Sequence, residues 1–235
     1  GKSGGGTAAA TNDLDDGYYF AGYSSHHIHE SMLRDSVRTS SYERAILSNP
    51  SLFDGKVVLD VGCGTGVLSI FAARAGARKV VAVDNAGDVI KRARAISELN
   101  GHGEVITFVK GRLEDLLEGK DGVGLPLEED EKVDVVVSEW MGYALLFETM
   151  LPSVLKARDA VMRPHISDKV GGGGTMFPNF SSIYLEGSSD PHRLDYWNDV
   201  HGIDMSPMKE LAVRELTDDA EVGIVPAESI STDRA

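Results

Sequence analysis

Glu139 and Glu148 stand nine positions apart and bracket WMGYALLF, a stretch with hardly a polar side chain. Burying a carboxylate is costly unless a partner compensates its charge. Two acids at the edges of one apolar loop therefore call for a cationic partner from elsewhere. A second chemical feature lies upstream. Gly62, Gly64 and Gly66 form GCGTG directly after the apolar run VVLDV. A strand, then glycines, then a helix lets the backbone approach a nucleotide closely. The dinucleotide fingerprint needs a glycine where this chain has Val67, which counts against NAD or FAD. Asp84 ends the next apolar run, VVAVD, 22 residues after Gly62. A carboxylate there can accept both hydroxyls of a ribose, whatever the adenosine ligand.

These residues need positioning elements, and the pattern supplies them. VVLDV (57–61), VVAVD (80–84), VITFVKG (105–111) and VDVVV (133–137) read as strands. VLSIFAARAGA and DVIKRARAISELNG between them read as helices, the second with Gly101 beyond its end. Alternating strands and helices predict a parallel sheet covered on both faces. Residues 18–50 read as helical, with Ser40 and Glu43 at capping-box spacing and Pro50 closing the segment. Pro152 fixes the start of VLKARDAVM, because proline is tolerated only in a first turn. Thr149 is then the expected N-cap, and Glu148 lies in the loop before the helix. That is where open α/β sheets bind ligands. Loop 119–132 is acidic and expected to be solvated. Residues 165–179 are Gly-rich and irregular, and FSSIYLEG is expected to begin a new strand.

The bulk numbers narrow the function classes. At 235 residues and 42% hydrophobic, the chain can fill a core for one large domain or one and a half ordinary ones. It has no apolar run of about 18 residues that would span a membrane as a helix. Residues 1–16 read as a linker or disordered segment, not a signal peptide, so the natural chain is expected to begin earlier. The single cysteine, Cys63, excludes an intrachain disulfide and points to a reducing, intracellular compartment. A net charge of −14 argues against direct nucleic-acid binding and suits either solubility or a cationic substrate. A zinc site on His26, His27 and His29 fits no metal-ligand spacing, so no metal is expected.

Together, VLDVGCGTG and VVAVD resemble the cofactor-binding core of class I methyltransferases, which use S-adenosyl-L-methionine (AdoMet) and release S-adenosyl-L-homocysteine (AdoHcy). SEWMGYALLFE resembles the double-glutamate loop of the protein arginine methyltransferases, and YYFAGYSSHHIHESMLRDSVRTSSY resembles their N-terminal helix signature. The likeness covers roughly residues 17–215 and is nearest to type I enzymes, in particular the member directed at ribosomal proteins. It implies a Rossmann-like domain with N-terminal helices (17–178), then the start of a β-barrel domain (179–235) carrying a helical dimerisation arm at 190–212.

The same resemblance assigns roles. Glu139 and Glu148 would hold a substrate guanidinium, whose forked donors match carboxylates. Arg38 would pair with the cofactor carboxylate, His29 and Met141 would line the cofactor pocket, and Glu114 would meet the adenine amino group. Tyr19 and Tyr23 would fold over cofactor and substrate, and Met32, with Met141, would limit product geometry. Implied partners are Gly-Arg-rich, ribosomal or RNA-binding proteins and a second copy of the chain, in cytoplasm and nucleus. Two departures stand out: HISDKVGGGG lengthens a turn that is short in the family, and the family's Thr-His-Trp loop has no counterpart. Two other readings compete: a class I methyltransferase on another substrate, and a non-catalytic AdoMet-binding, self-associating module.

Overall fold

Five strands pair in parallel in the order β3-β2-β1-β4-β5: Val57–Val61 (β1), Lys79–Asp84 (β2), Ile106–Lys110 (β3), Val135–Val137 (β4) and Thr175–Phe177 (β5). The computed structural model describes residues 26–86, 88–148, 150–164, 173–188, 194–218 and 223–232. β1 is buried along its whole length, which is why it reads as an unbroken apolar run. Its register sets Leu59 between Val81 of β2 and Val136 of β4.

The period-2 alternation of side chains divides the core into two layers. On one face Val58, Val80, Ala82 and Val135 pack with Ile70 and Phe71 of helix α4 (Val67–Arg74) and Ala93 of α5 (Val89–Leu99). On the other, Val57, Leu59, Val81 and Val136 pack with Leu113 of α6 (Leu113–Glu118) and Val154 of α7 (Leu151–Val161). Each buried Val, Leu, Ile or Phe side chain among them stabilises the fold by roughly 1.5–3 kcal/mol relative to leaving it in water.

The N-terminal helical segment is three helices: α1 (His26–Arg34), α2 (Ser36–Leu47) and the single turn α3 (Pro50–Phe53). The start of α2 corrects the expected cap. Asp35 is the N-cap, its side chain accepting from the Arg38 N–H at 3.0 Å, and Ser40 lies inside the helix. Pro50 opens α3 rather than closing a helix, since its missing N–H is harmless in a first turn. α7 begins at Leu151 with Met150 at its N-cap and Pro152 in its first turn. The expected cap, Thr149, lies outside the described residues.

Two further differences concern strands and the acidic loop. The strand expected at FSSIYLEG does not form: residues 180–187 carry no strand, and Phe180 and Leu185 are each 80% exposed. Among the described residues the last strand is instead the short β5 just upstream, paired to β4. The loop after α6 is mostly exposed, but Glu131 is tied to β2. Arg78 and Lys79 each reach its carboxylate at 2.7 Å. Lys79 first, then the Glu128 N–H and Arg78, hold the Glu131 carboxyl down at about 2.

Contacts divide the chain into two units, Gly1–Ser181 and Ser182–Ala235. In the second, Ser188 and Ile230 form an isolated antiparallel bridge. A 3-10 turn (Tyr196–Asn198) sets the Tyr196 and Trp197 rings edge to face at 5.2 Å, and α8 (Met208–Asp218) follows. Ile203, Met205 and Met208 are exposed. Among the described residues no helix is long and apolar enough to cross a membrane.

Candidate functional site

The strand order reverses direction between β1 and β4, and that is the switch point where open α/β sheets take ligands. A cavity of about 560 Å³ opens there. The loop leaving β1 carries the glycines, all with positive φ: Gly62 at 76°, Gly64 at 51° and Gly66 at 81°. At Gly62 the positive φ favours glycine, and an added Cβ would lie 2.6 Å from the Met150 methyl carbon, which would have to move aside. Gly66 serves as the N-cap of α4.

Asp84, at the end of β2, organises this loop. Its Oδ2 accepts from the Gly64 N–H at 2.8 Å and its Oδ1 from the Ala86 N–H at 2.7 Å. One bond to each oxygen leaves acceptor capacity on both for a ligand's hydroxyls. Beneath it, Asp60 is fully buried in β1. Ser69 Oγ donates to its Oδ2 at 2.6 Å, while Oδ1 has no partner. Burial, and to a lesser extent the Asp84 charge, push its carboxyl up to about 7 against the Ser69 hydrogen bond.

The glutamate loop leaves β4 on the neighbouring edge. Ser138 is buried and its Oγ donates to the Val61 carbonyl at 2.8 Å, which ties the start of this loop to the end of β1. Trp140 is buried in the second core layer, where Met141, Leu145 and Met150 also pack. The loop then turns back on itself: the Gly142 N–H donates to the Leu145 carbonyl at 3.2 Å, with Ala144 and Leu145 both left-handed. A Cβ on Gly142 would lie 2.9 Å from the Glu148 backbone nitrogen. Only glycine lets the second glutamate return this closely over the first arm of the loop. Tyr143 and Phe147 are 70% and 77% exposed, and Tyr143 lines the cavity.

Glu139 and Glu148 both line the cavity. Glu139 is mostly buried and paired with the Arg38 guanidinium of α2. Even so its carboxyl is held above the usual carboxylate range. Burial is the largest cause, Arg38 opposes it, and the Glu148 charge adds to it. Among the described residues that line the cavity, Arg38 is the one arginine or lysine beside the two glutamates. Tyr42, one helical turn after Arg38, donates to the Ser138 carbonyl at 3.0 Å and approaches the Met141 sulfur at 3.9 Å. Burial raises the Tyr42 hydroxyl pKa, and so does the Glu139 charge, so it stays a donor.

Of the residues picked out by sequence, the cavity brings together Glu139, Glu148, Arg38 and Asp84. His29, Met32, Met141, Gly62 and Gly64 join them. Glu114 is not part of this wall; it sits on α6 and accepts from Ser153 Oγ at 2.5 Å. Tyr19 and Tyr23 lie outside the described residues. Sequence reasoning missed Tyr42, Met150 and Asp60. Tyr42 had a signal, being four residues from Arg38 on one helix face. Met150 had none, because it reaches Gly62 only through the fold of the loop.

A glycine loop at the switch point, with an acid ending the next strand, defines an α/β domain for a nucleotide-bearing ligand, and the sequence matches a family profile described as a methyltransferase domain over residues 58–165. More specific relatives follow. The chain is 45% identical to protein arginine N-methyltransferase 1 of Dictyostelium discoideum, over 84% of this chain and 54% of that protein. It is 42% identical to the ribosomal protein arginine N-methyltransferase rmt3 of Schizosaccharomyces pombe, over 90% of this chain and 36% of that protein. Among solved structures, a Trypanosoma brucei PRMT1 enzyme–prozyme heterotetrameric complex with AdoHcy matches with a TM-score of 0.59 and 44% identity. That match covers 81% of this chain and 55% of the solved one. The chain belongs to the protein arginine N-methyltransferase family. It spans about half the length of the curated relatives it matches.

Proposed function

We propose that this chain carries the cofactor site and the guanidinium-docking loop of a protein arginine N-methyltransferase. One observation carries the reading: the two glutamates share a single cavity with the glycine loop and Asp84. The residues suit AdoMet. The glycine loop leaves its backbone bare, and Asp84 keeps acceptor capacity at the strand end for ribose hydroxyls. Bound there, AdoMet supplies an electrophilic methyl group. The chain's own residues do the rest. Glu139 and Glu148 neutralise and orient a planar guanidinium. Trp140 and Tyr42 hold the loop in place, so positioning and electrostatics carry the rate.

The finer points belong to the same proposal. The products are monomethyl and asymmetric dimethyl arginine, in keeping with the type I resemblance and with Met32 and Met141 lining the cavity. Substrates are arginines in basic Gly-Arg-rich segments, which suit a chain of net charge −14. Ribosomal proteins are proposed among them because one relative carries that substrate in its name. Self-association through 190–212 is supported by the exposed apolar residues Ile203, Met205 and Met208 in the described part of that segment. A cytoplasmic and nuclear location accords with a single, buried, unpaired cysteine.

The test is transfer from labelled AdoMet to a Gly-Arg-rich peptide, with Glu148→Gln beside the parent. The charge-neutral variant should lose at least tenfold in transfer and keep its AdoHcy affinity. Loss of AdoHcy binding with unchanged turnover per bound cofactor would overturn the role given to Glu148. Mass spectrometry of the peptide separates asymmetric from symmetric dimethylarginine.

A further inference from the structure

Glu139 is proposed to receive a guanidinium, yet in this structure it already holds one. Arg38 reaches across from α2 and pairs with the carboxylate in the same cavity. The pair is only partly shielded, the two side chains being 30% and 19% exposed. An incoming arginine and Arg38 present the same planar, forked cation to the same acid, so both cannot use it fully at once. Among the described residues lining the cavity, Arg38 is also the one arginine or lysine. A carboxylate carried in by a ligand therefore has this one permanently charged partner on the wall.

We propose that Arg38 is an internal occupant of the guanidinium site, and that a carboxylate-bearing ligand in the cavity draws it off Glu139 and so opens that acid to substrate. The device rests on the arginine-methyltransferase reading and adds a coupling to it. A binding-competent state populated only in part weakens apparent affinity by that fraction, and a first ligand that populates it restores the affinity. The two sites then favour each other reciprocally. Tyr42 keeps the loop fixed from the same helix, so Arg38 can leave without releasing Ser138 and Met141.

The experiment measures binding of ethylguanidinium to this chain by NMR titration, with and without AdoHcy. It compares the parent with Arg38→Gln, Arg38→Lys and Glu139→Gln, each checked for folding by circular dichroism. Arg38→Gln should bind the probe about 5- to 30-fold more tightly than the parent. Arg38→Lys should fall between, because an ammonium lacks the fork. AdoHcy should tighten the probe in the parent by a comparable factor and leave Arg38→Gln unmoved, and Glu139→Gln should lose binding in every arm. A purely structural Arg38 predicts the reverse sign: equal or weaker binding after its removal overturns the inference while parent binding preserves the function. Tightening in Arg38→Gln without any AdoHcy effect in the parent refutes the coupling. Should no form bind the probe, the guanidinium reading and this inference fall together.

Discussion

Gly142→Ala is the sharpest test of how the site is built. A methyl at this position would lie 2.7 Å from Glu148 Cγ and 2.9 Å from the Glu148 backbone nitrogen. The Cγ can swing away, but the backbone cannot. Relief to ordinary contact requires the half-buried chain at Glu148 to retreat by roughly 0.5 Å. Carried out along the side chain, that displaces the carboxylate by about 1 Å, and misplacement of that size can lower a rate about 100-fold. The fold should survive, since overpacking typically costs about 1–3 kcal/mol. The expected result is a 10- to 100-fold fall in methyl transfer, about 1.4–2.8 kcal/mol in transition-state stabilisation. AdoHcy affinity by calorimetry should stay within about twofold. Gly142→Val should be worse. If Gly142→Ala transferred methyl groups at the parent rate, the close return of Glu148 over Gly142 would not be what sets the site.

Other consequences can be measured directly. Asp84→Ala removes the acceptors proposed for ribose hydroxyls, an expected loss of at most about 1.5–3 kcal/mol per bond, and calorimetry with unchanged AdoHcy affinity would remove Asp84 from the cofactor site. Asp60 makes stability depend on pH. Its folded value of about 7 lies above its ordinary 3.8, so the folded state holds a proton that the unfolded chain has released. This group's contribution to stability therefore falls as pH rises from about 4 to 7 and is level above, by at most ~4 kcal/mol. Urea unfolding of Asp60→Asn against the parent should show that component vanish; a pH-independent difference between the two would refute it. Trp197→Ala should weaken self-association in sedimentation at micromolar concentration, and an identical sedimentation profile for parent and variant would separate Trp197 from the interface.

How much of this was readable in the sequence follows from which interactions are local. β1 and β2 are buried nearly throughout, so each appears as a continuous apolar run that no surface segment imitates. The glycines and Asp84 lie within one strand–helix–strand unit, where spacing alone limits the geometry. β5 escaped because its three residues, Thr175–Phe177, are too few to show a period beside a Gly-rich run. The Ser40 cap failed for a competitive reason: Asp35, five residues earlier, satisfies the N–H of Arg38, and the helix is under way before Ser40 is reached. The Arg38–Glu139 pair spans 101 positions, and no local pattern records it.

The apolar character of the loop between the two glutamates has its explanation in the same geometry. A loop that must hold two like charges near each other cannot be kept in place by those charges, which repel and resist burial. Something else has to fix it. Trp140 does so from within the second core layer, and Met141, Leu145 and Met150 pack against it. Ser138 ties the loop's first residue to β1, and Tyr42 ties it to α2. The hydrophobic residues thus supply the rigidity, and the two glutamates keep a fixed place in the cavity, Glu139 there paired with Arg38. The apolar run and the paired acids are accordingly one device, and replacing any of those anchors with a polar residue should disturb the glutamates before it disturbs Asp84.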